Sequence, residues 1–159
     1  MPKNNKTKKR SSNCFKTAVE NTPDVSDGYQ VGLQALGNYS QKVNLSSNGK
    51  CEGSLDIDSC TRVLYPQENR WDYAIGYDSK VYFAEVHSAQ TNEVSTMLRK
   101  LEWLKNWLNN HAPEIKKIRA GHPYFWIMSG KYDILPGSRQ ARKIAKAGMK
   151  PIPILNLPV

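Results

Sequence analysis

The chain has no apolar run long enough to cross a bilayer. Its longest fully apolar stretches are a handful of residues, such as Phe125 to Met128, where a membrane helix needs roughly 20. Cysteine is scarce and odd in number. Cys14, Cys51 and Cys60 form no CxxC pair, and no histidine stands at zinc-finger spacing from them, so ordinary reduced thiols are expected rather than structural zinc or a disulfide framework. Acid is missing from residues 1 to 19, and so is any apolar segment of the kind a secretory signal carries; the chain is therefore expected to be cytoplasmic. Internal repeats are lacking, as is low complexity beyond the N-terminal segment.

Charge is what the sequence has in excess. Lys and Arg number 23 against 14 Asp and Glu, a net +9, and six of the cations (Lys3, Lys6, Lys8, Lys9, Arg10 and Lys16) fall before residue 20. A segment so polar cannot bury enough surface to offset its ordering entropy. Residues 1–20 are thus expected to form a disordered basic tail, either a solubilising end or an arm whose Lys8, Lys9 and Arg10 attract phosphate. Residues 21–159 are long enough for a single domain with a real core.

Local patterns place the elements of that domain. Thr22-Pro23-Asp24 resembles a helix start, with Val25, Tyr29, Leu33 and Leu36 following at helical spacing, although Gly28, Gly32 and Gly37 weaken it. Leu55, Ile57 and Val63-Leu64-Tyr65 suggest a first strand ended by Pro66. Trp71–Tyr77 and Val81–His87, joined by Asp78-Ser79-Lys80, read as an antiparallel hairpin. Val94, Met97, Leu98, Leu101, Leu104 and Leu108 then mark one face of a long helix over 92–108, with Thr91 as its cap. A short helix opens at Pro113 and ends at Gly121. Tyr124–Met128 is a strand buried on both faces, Ser138 caps a last helix stopped by Gly148, and the prolines at 151 and 153 make the closing segment an edge strand. Alternating strands and helices argue for a layered α/β sheet.

Three residues on the hairpin stand out. Asp72 begins its first strand, and Glu85 and His87, two apart, share one face of its second. Glu85 interrupts the apolar run Val81–Val86, where a carboxylate needs a partner or a metal. If the strands pair as drawn, Asp72 approaches Glu85 and His87, a donor set suited to Mg²⁺ or Mn²⁺.

Asp72, twelve intervening residues, then Glu85-Val86-His87, on a hairpin followed by a long amphipathic helix, resembles the PD-(D/E)xK nuclease superfamily over about residues 55 to 157. The resemblance implies a restriction-endonuclease-like α/β fold: a mixed central sheet flanked by helices. It further implies that Asp72 and Glu85 bind Mg²⁺ or Mn²⁺ and that the position two beyond Glu85 is catalytic. That position is a lysine in the superfamily pattern and His87 here, a group that can bind metal or accept a proton without supplying a permanent ammonium. Because the superfamily tolerates migration of its charged residues onto the neighbouring helix, Lys100, and after it Glu93 or Arg99, are candidates for a relocated group.

Around this constellation stand further polar residues: Glu52, Asp56, Asp58 and Glu68 as additional acids, and Gln30 and Gln34 on the first helix. The last helix carries Arg139, Arg142, Lys143 and Lys146, followed by Lys150, with no acid between Ser138 and Lys150, which suggests a face that tracks nucleic-acid phosphates. The expectation is a metal-dependent nuclease acting on DNA or RNA. The alternatives are a non-catalytic protein of the same fold that binds nucleic acid or a protein partner, and an interaction module with Trp103 or Trp107 in an exposed patch.

Overall fold

The computed structural model describes residues 12–159. In chain order its elements are α1 (Cys14–Glu20), β1 (Val43–Leu45), β2 (Cys51–Asp56), α2 (Ile57–Thr61), β3 (Tyr73–Tyr77) and β4 (Lys80–Ala89). After these come α3 (Val94–Asn110), α4 (Pro113–Lys117), β5 (Arg119–Tyr132), α5 (Arg139–Lys146), β6 (Pro151–Ile152) and β7 (Leu155–Leu157). No helix among the described residues is long and apolar enough to cross a membrane.

The hairpin organises the sheet. β3 and β4 pair antiparallel from Tyr73 opposite Ala84 to Tyr77 opposite Lys80, leaving Asp78 and Ser79 to make the turn. Both lie in the left-handed region, with φ of 48° and 62°, as a two-residue turn matching the strands' twist demands. β2 adds antiparallel to β3, while β5 and β6 follow β4 in parallel, giving a mixed five-stranded sheet in the order β2-β3-β4-β5-β6. β6 lies at the edge, where its proline does not interrupt a ladder on both sides. The rest of the closing segment leaves this sheet, and β7 pairs in parallel with β1 as a separate two-stranded piece.

Alternation along the strands divides the core in two. Ala74, Val81, Phe83 and Ala89 face one way and pack with Phe15 and Val19 of α1, Met97, Leu101 and Leu104 of α3, Ile115 of α4 and Ile144 of α5. Ile75, Tyr77, Ala84 and Val86 face the other way, against Ala35, Leu36, Val43, Leu155 and Leu157. The molecule is therefore an α/β sheet with helices over one face and a thinner cover over the other. α3 buries the stripe its spacing predicts. Trp107 belongs to that buried stripe, and Trp103 stacks on it at 5.8 Å while receiving the edge of Tyr65, so these tryptophans form no free aromatic patch.

Several expectations need correction. The basic segment is not tail-like up to residue 20. Asn13 caps α1 by accepting from the Lys16 amide at 2.8 Å, and Phe15 and Val19 are fully buried. Gly76 makes room for this helix, since a Cβ there would stand 2.4 Å from the Phe15 Cβ. Lys8, Lys9 and Arg10, expected to attract phosphate, lie outside the described residues. The helix expected from Thr22 is reduced to 3-10 segments at Pro23–Val25 and Gln34–Lys42, because Gly32 and Gly37 take left-handed φ near 55°. Val63 and Leu64 are exposed in a turn rather than paired in a strand; the strand is β2, and it ends where Asp56 caps α2 by accepting from the Ser59 amide at 2.9 Å. Gly121 lies inside β5 rather than ending α4, whose last turn closes at Ile118.

Candidate functional site

The β3–β4 ladder stops at Tyr73 opposite Ala84, and one step further the register would set Asp72 opposite Glu85. Two amides at this point have lost their ladder partners, and each is satisfied by the other strand's carboxylate. The Asp72 N–H donates to Glu85 Oε2 at 2.8 Å, and the Val86 N–H donates to Asp72 Oδ2 at 3.1 Å. The end of the ladder thus fixes both acids side by side.

A third residue arrives from above. α3 runs back over β4, so that its start lies over the strand's end and its second turn over Glu85. Lys100 Nζ contacts Glu85 Oε1 directly and stands 3.9 Å from Asp72 Oδ1. The Glu85 side chain is fully buried, while those of Lys100 and Asp72 are 18% and 23% exposed. Lys100 is three residues after Met97 and four before Leu104, both fully buried. It is a cation within the apolar stripe, and that spacing was the signal in the sequence for its inward position.

The cluster carries more acid than base. Burial pushes the Glu85 carboxyl up to about 8, reinforced by the charge of Asp72 and opposed by Lys100. Burial likewise raises Asp72, against the pull of Lys100 and the Val86 amide. Burial would lower Lys100, but the two carboxylates outweigh it and hold the ammonium above its ordinary range. The directions for Glu85 and Lys100 compete, since a protonated Glu85 would stabilise the ammonium less. The ammonium has two acids beside it and remains charged, so the proton that comes and goes belongs to the carboxylate pair.

His87 does not join this group. It shares the strand face with Glu85, as the spacing of two requires, but its Nε2 lies 2.9 Å from Glu93 Oε2 at the start of α3. The expected three-ligand set of Asp72, Glu85 and His87 is not assembled. No group of three or more His, Cys, Asp and Glu side chains placed to hold a metal ion occurs among the described residues. Asp72 and Glu85 remain as a pair of oxygen donors.

The other acids have separate tasks. Glu52 accepts from the Cys14 and Phe15 amides with Oε1 and from the Ser79 amide with Oε2, tying the start of α1 to the hairpin turn. Asp58 is paired with Arg62 and with Arg70 Nε at 2.8 Å; burial alone would raise its carboxyl, and the two guanidiniums hold it below its usual range. Its backbone amide and that of Ile57 point at the Asp72 carbonyl, so α2 buttresses the strand end. Arg70, which also donates to the Tyr65 carbonyl, gave no signal in the sequence. Glu68 accepts from Trp103. Gln30 bridges to Ser54 of β2 through its backbone, and the Gln30 and Gln34 side chains are exposed rather than gathered at Glu85. Arg139, Arg142, Lys143 and Lys146 are exposed on α5, which packs through Ile144.

No family model, curated protein or solved structure matches the chain.

Proposed function

We propose that the protein is a metal-dependent phosphodiesterase of the PD-(D/E)xK kind, acting on DNA or RNA, with Asp72, Glu85 and Lys100 as its reacting group. The observation that carries this reading is the meeting of Asp72 and Glu85 at the end of the hairpin ladder with a lysine delivered by the following helix. His87 stands where the superfamily pattern has its lysine, and Lys100 supplies an ammonium to the same pair of acids. The fold class fits a restriction-endonuclease-like arrangement, with a mixed sheet whose central hairpin carries the acids and whose next helix lies over them.

The two carboxylates suit Mg²⁺ or Mn²⁺, hard cations commonly held by one or two carboxylates with the remaining positions left to water and substrate phosphate. The excess of acid over base in a desolvated pocket is what such a cation would relieve. A cation bound there would polarise a phosphodiester and ease deprotonation of water. Lys100, on its flexible stem, holds an ammonium beside both acids, positioned to orient a nucleophile and stabilise charge on a phosphoryl oxygen. Arg70 and α2 hold the strand end in place.

The test is a cleavage assay on mixed DNA and RNA at low salt with Mg²⁺ or Mn²⁺, beside calorimetric titration of Mn²⁺. Glu85→Gln should lose metal binding and cleavage together. Lys100→Met should lose at least about a hundredfold in cleavage while still binding Mn²⁺ and nucleic acid. Nucleic-acid binding lost in step with cleavage in both variants would count against the proposal. A second reading, a non-catalytic protein of this fold, is favoured by the direct engagement of Glu85 by Lys100. Its signature would be nucleic-acid binding with no Mn²⁺ uptake by the unaltered chain.

A further inference from the structure

α3 reaches from the acid pair at one end of β4 to a second charged region at the other. Arg119 opens β5 opposite Val81, the second residue of β4, four residues along the strand from Glu85. There, Lys105 and Asn109 of α3, Lys116 of α4, and Arg119 and Tyr124 of β5 line an open cleft of about 430 Å³. The cleft gathers three cations on three elements, and no acid lines it.

The surrounding charges explain why the cleft is one-signed. Lys117, next to Lys116, is neutralised by Glu114 at 2.7 Å, whereas Lys105, Lys116 and Arg119 have no ion-pair partner among the described residues. Glu102, one turn before Lys105, is exposed and borders the neighbouring hollow with Leu98 and Ala147. Tyr124 is half-buried between two of the cations: Lys105 Nζ stands 5.3 Å from its ring centroid, and the Arg119 guanidinium opposes the upward push of burial on its phenol. The Tyr124 ring stacks on Phe83 at 5.9 Å and so holds Lys105 in place over it, and the unpaired cations around it suit the phosphates of a nucleic-acid strand. The wall at Gly121 is open, since a Cβ there would meet nothing within 4 Å. Tyr124 also borders a second hollow lined by Ala145 and Lys150.

We infer that the cleft formed by Lys105, Lys116, Arg119 and Tyr124 is a second, non-catalytic binding site for the phosphodiester backbone of a nucleic acid. Like charges gathered without counter-charge raise the local potential and concentrate a polyanion. Cations on separate elements around an open cleft each contribute weakly, so a chain of phosphates gains from all of them where an isolated phosphate does not. The choice of nucleic acid as the polyanion rests on the phosphodiesterase reading above; the charge of the cleft stands independently of it.

The experiment is fluorescence anisotropy of a labelled oligonucleotide with the full chain, in EDTA so that metal and cleavage do not enter, across a salt series. Lys105→Ala/Lys116→Ala/Arg119→Ala should bind about tenfold or more weakly, and its salt slope should be shallower by about 2 to 3. Gly121→Asp places an acid in the open wall without a steric clash and should weaken binding in the same direction with the core untouched. Two results would overturn the inference: affinity and slope unchanged in both variants, or no binding by the parent at low salt. A parent that binds through the cleft but cleaves nothing with any metal would leave this site standing and remove the enzymatic reading. Cleavage without cleft-dependent binding would do the reverse.

Discussion

Two glutamates are buried among the described residues, and they are held in opposite ways. Glu52 spends its oxygens on three backbone amides, two at the start of α1 and one in the hairpin turn. No cation is needed, because neutral donors and the positive end of a helix suffice for a carboxylate. Glu85 has one backbone amide, one ammonium and a second carboxylate at its side. A carboxylate that serves only architecture is surrounded by groups that cannot titrate. One that sits beside another acid and a lysine stays poised between charge states, as reacting groups are.

The largest expected effect is the pH dependence that Glu85 gives to stability. Glu85 in the folded protein is raised from its usual 4.5 to about 8. Between those values the native state keeps a proton that the unfolded chain has released. The associated stability is therefore full below about 4.5 and is lost as pH rises through about 8, a change of roughly a few kcal/mol. Asp72, also raised, acts in the same sense. Urea unfolding from pH 5 to pH 9 should show this fall in the parent and a much flatter profile in Glu85→Gln. A slope that survives in Glu85→Gln would break the distinction.

Next in size is the architectural role of Glu52. Glu52→Ala should destabilise the protein by about 2 kcal/mol, because three amides lose an acceptor and α1 loses its anchor to the hairpin. Cleavage and metal binding, measured at a temperature where the variant is folded, should stay at parental levels. A loss of less than about 0.5 kcal/mol in chemical denaturation would mean that water replaces the carboxylate and that the burial of Glu52 is incidental.

The smallest effect sharpens the same contrast at the turn Glu52 supports. Ser79 holds φ of 62°, which glycine adopts without strain. Ser79→Gly keeps the amide that donates to Glu52 and should stabilise the protein by about 0.5 kcal/mol, read as a rise in thermal midpoint. A fall would show that the serine side chain contributes to the turn.

Legibility in the sequence followed the range of the interaction. The hairpin, α3, Ser138 as cap of α5, Gly148 at φ of 82° and the edge position of β6 came from neighbours a few residues apart. The failures were long-range. α1 looked like tail because its seven residues hold only Phe15, Ala18 and Val19 as buried groups, and its stability comes from β2, β3 and α4. The stretch 22–36 has helical spacing, but Gly32 within it and Gly37 just after it take positive φ, which an α-helix cannot continue through. Within the site, Asp72 and Glu85 were legible through the hairpin and Lys100 only through the family resemblance, whereas the partner of His87 and the role of Arg70 were not.

The sequence by itself determined the sheet's central hairpin, the helix that covers it and the placing of two acids at one strand end, because periodicity and turn chemistry act locally. Only the tertiary structure decided which cation meets those acids. The path of α3 back over β4 sets Lys100 against Glu85 and Glu93 against His87, and it carries Lys105 to the far end beside Arg119 and Tyr124. The physical reason is that an ion pair between a strand and a helix depends on the angle and register of packing, which the whole core fixes.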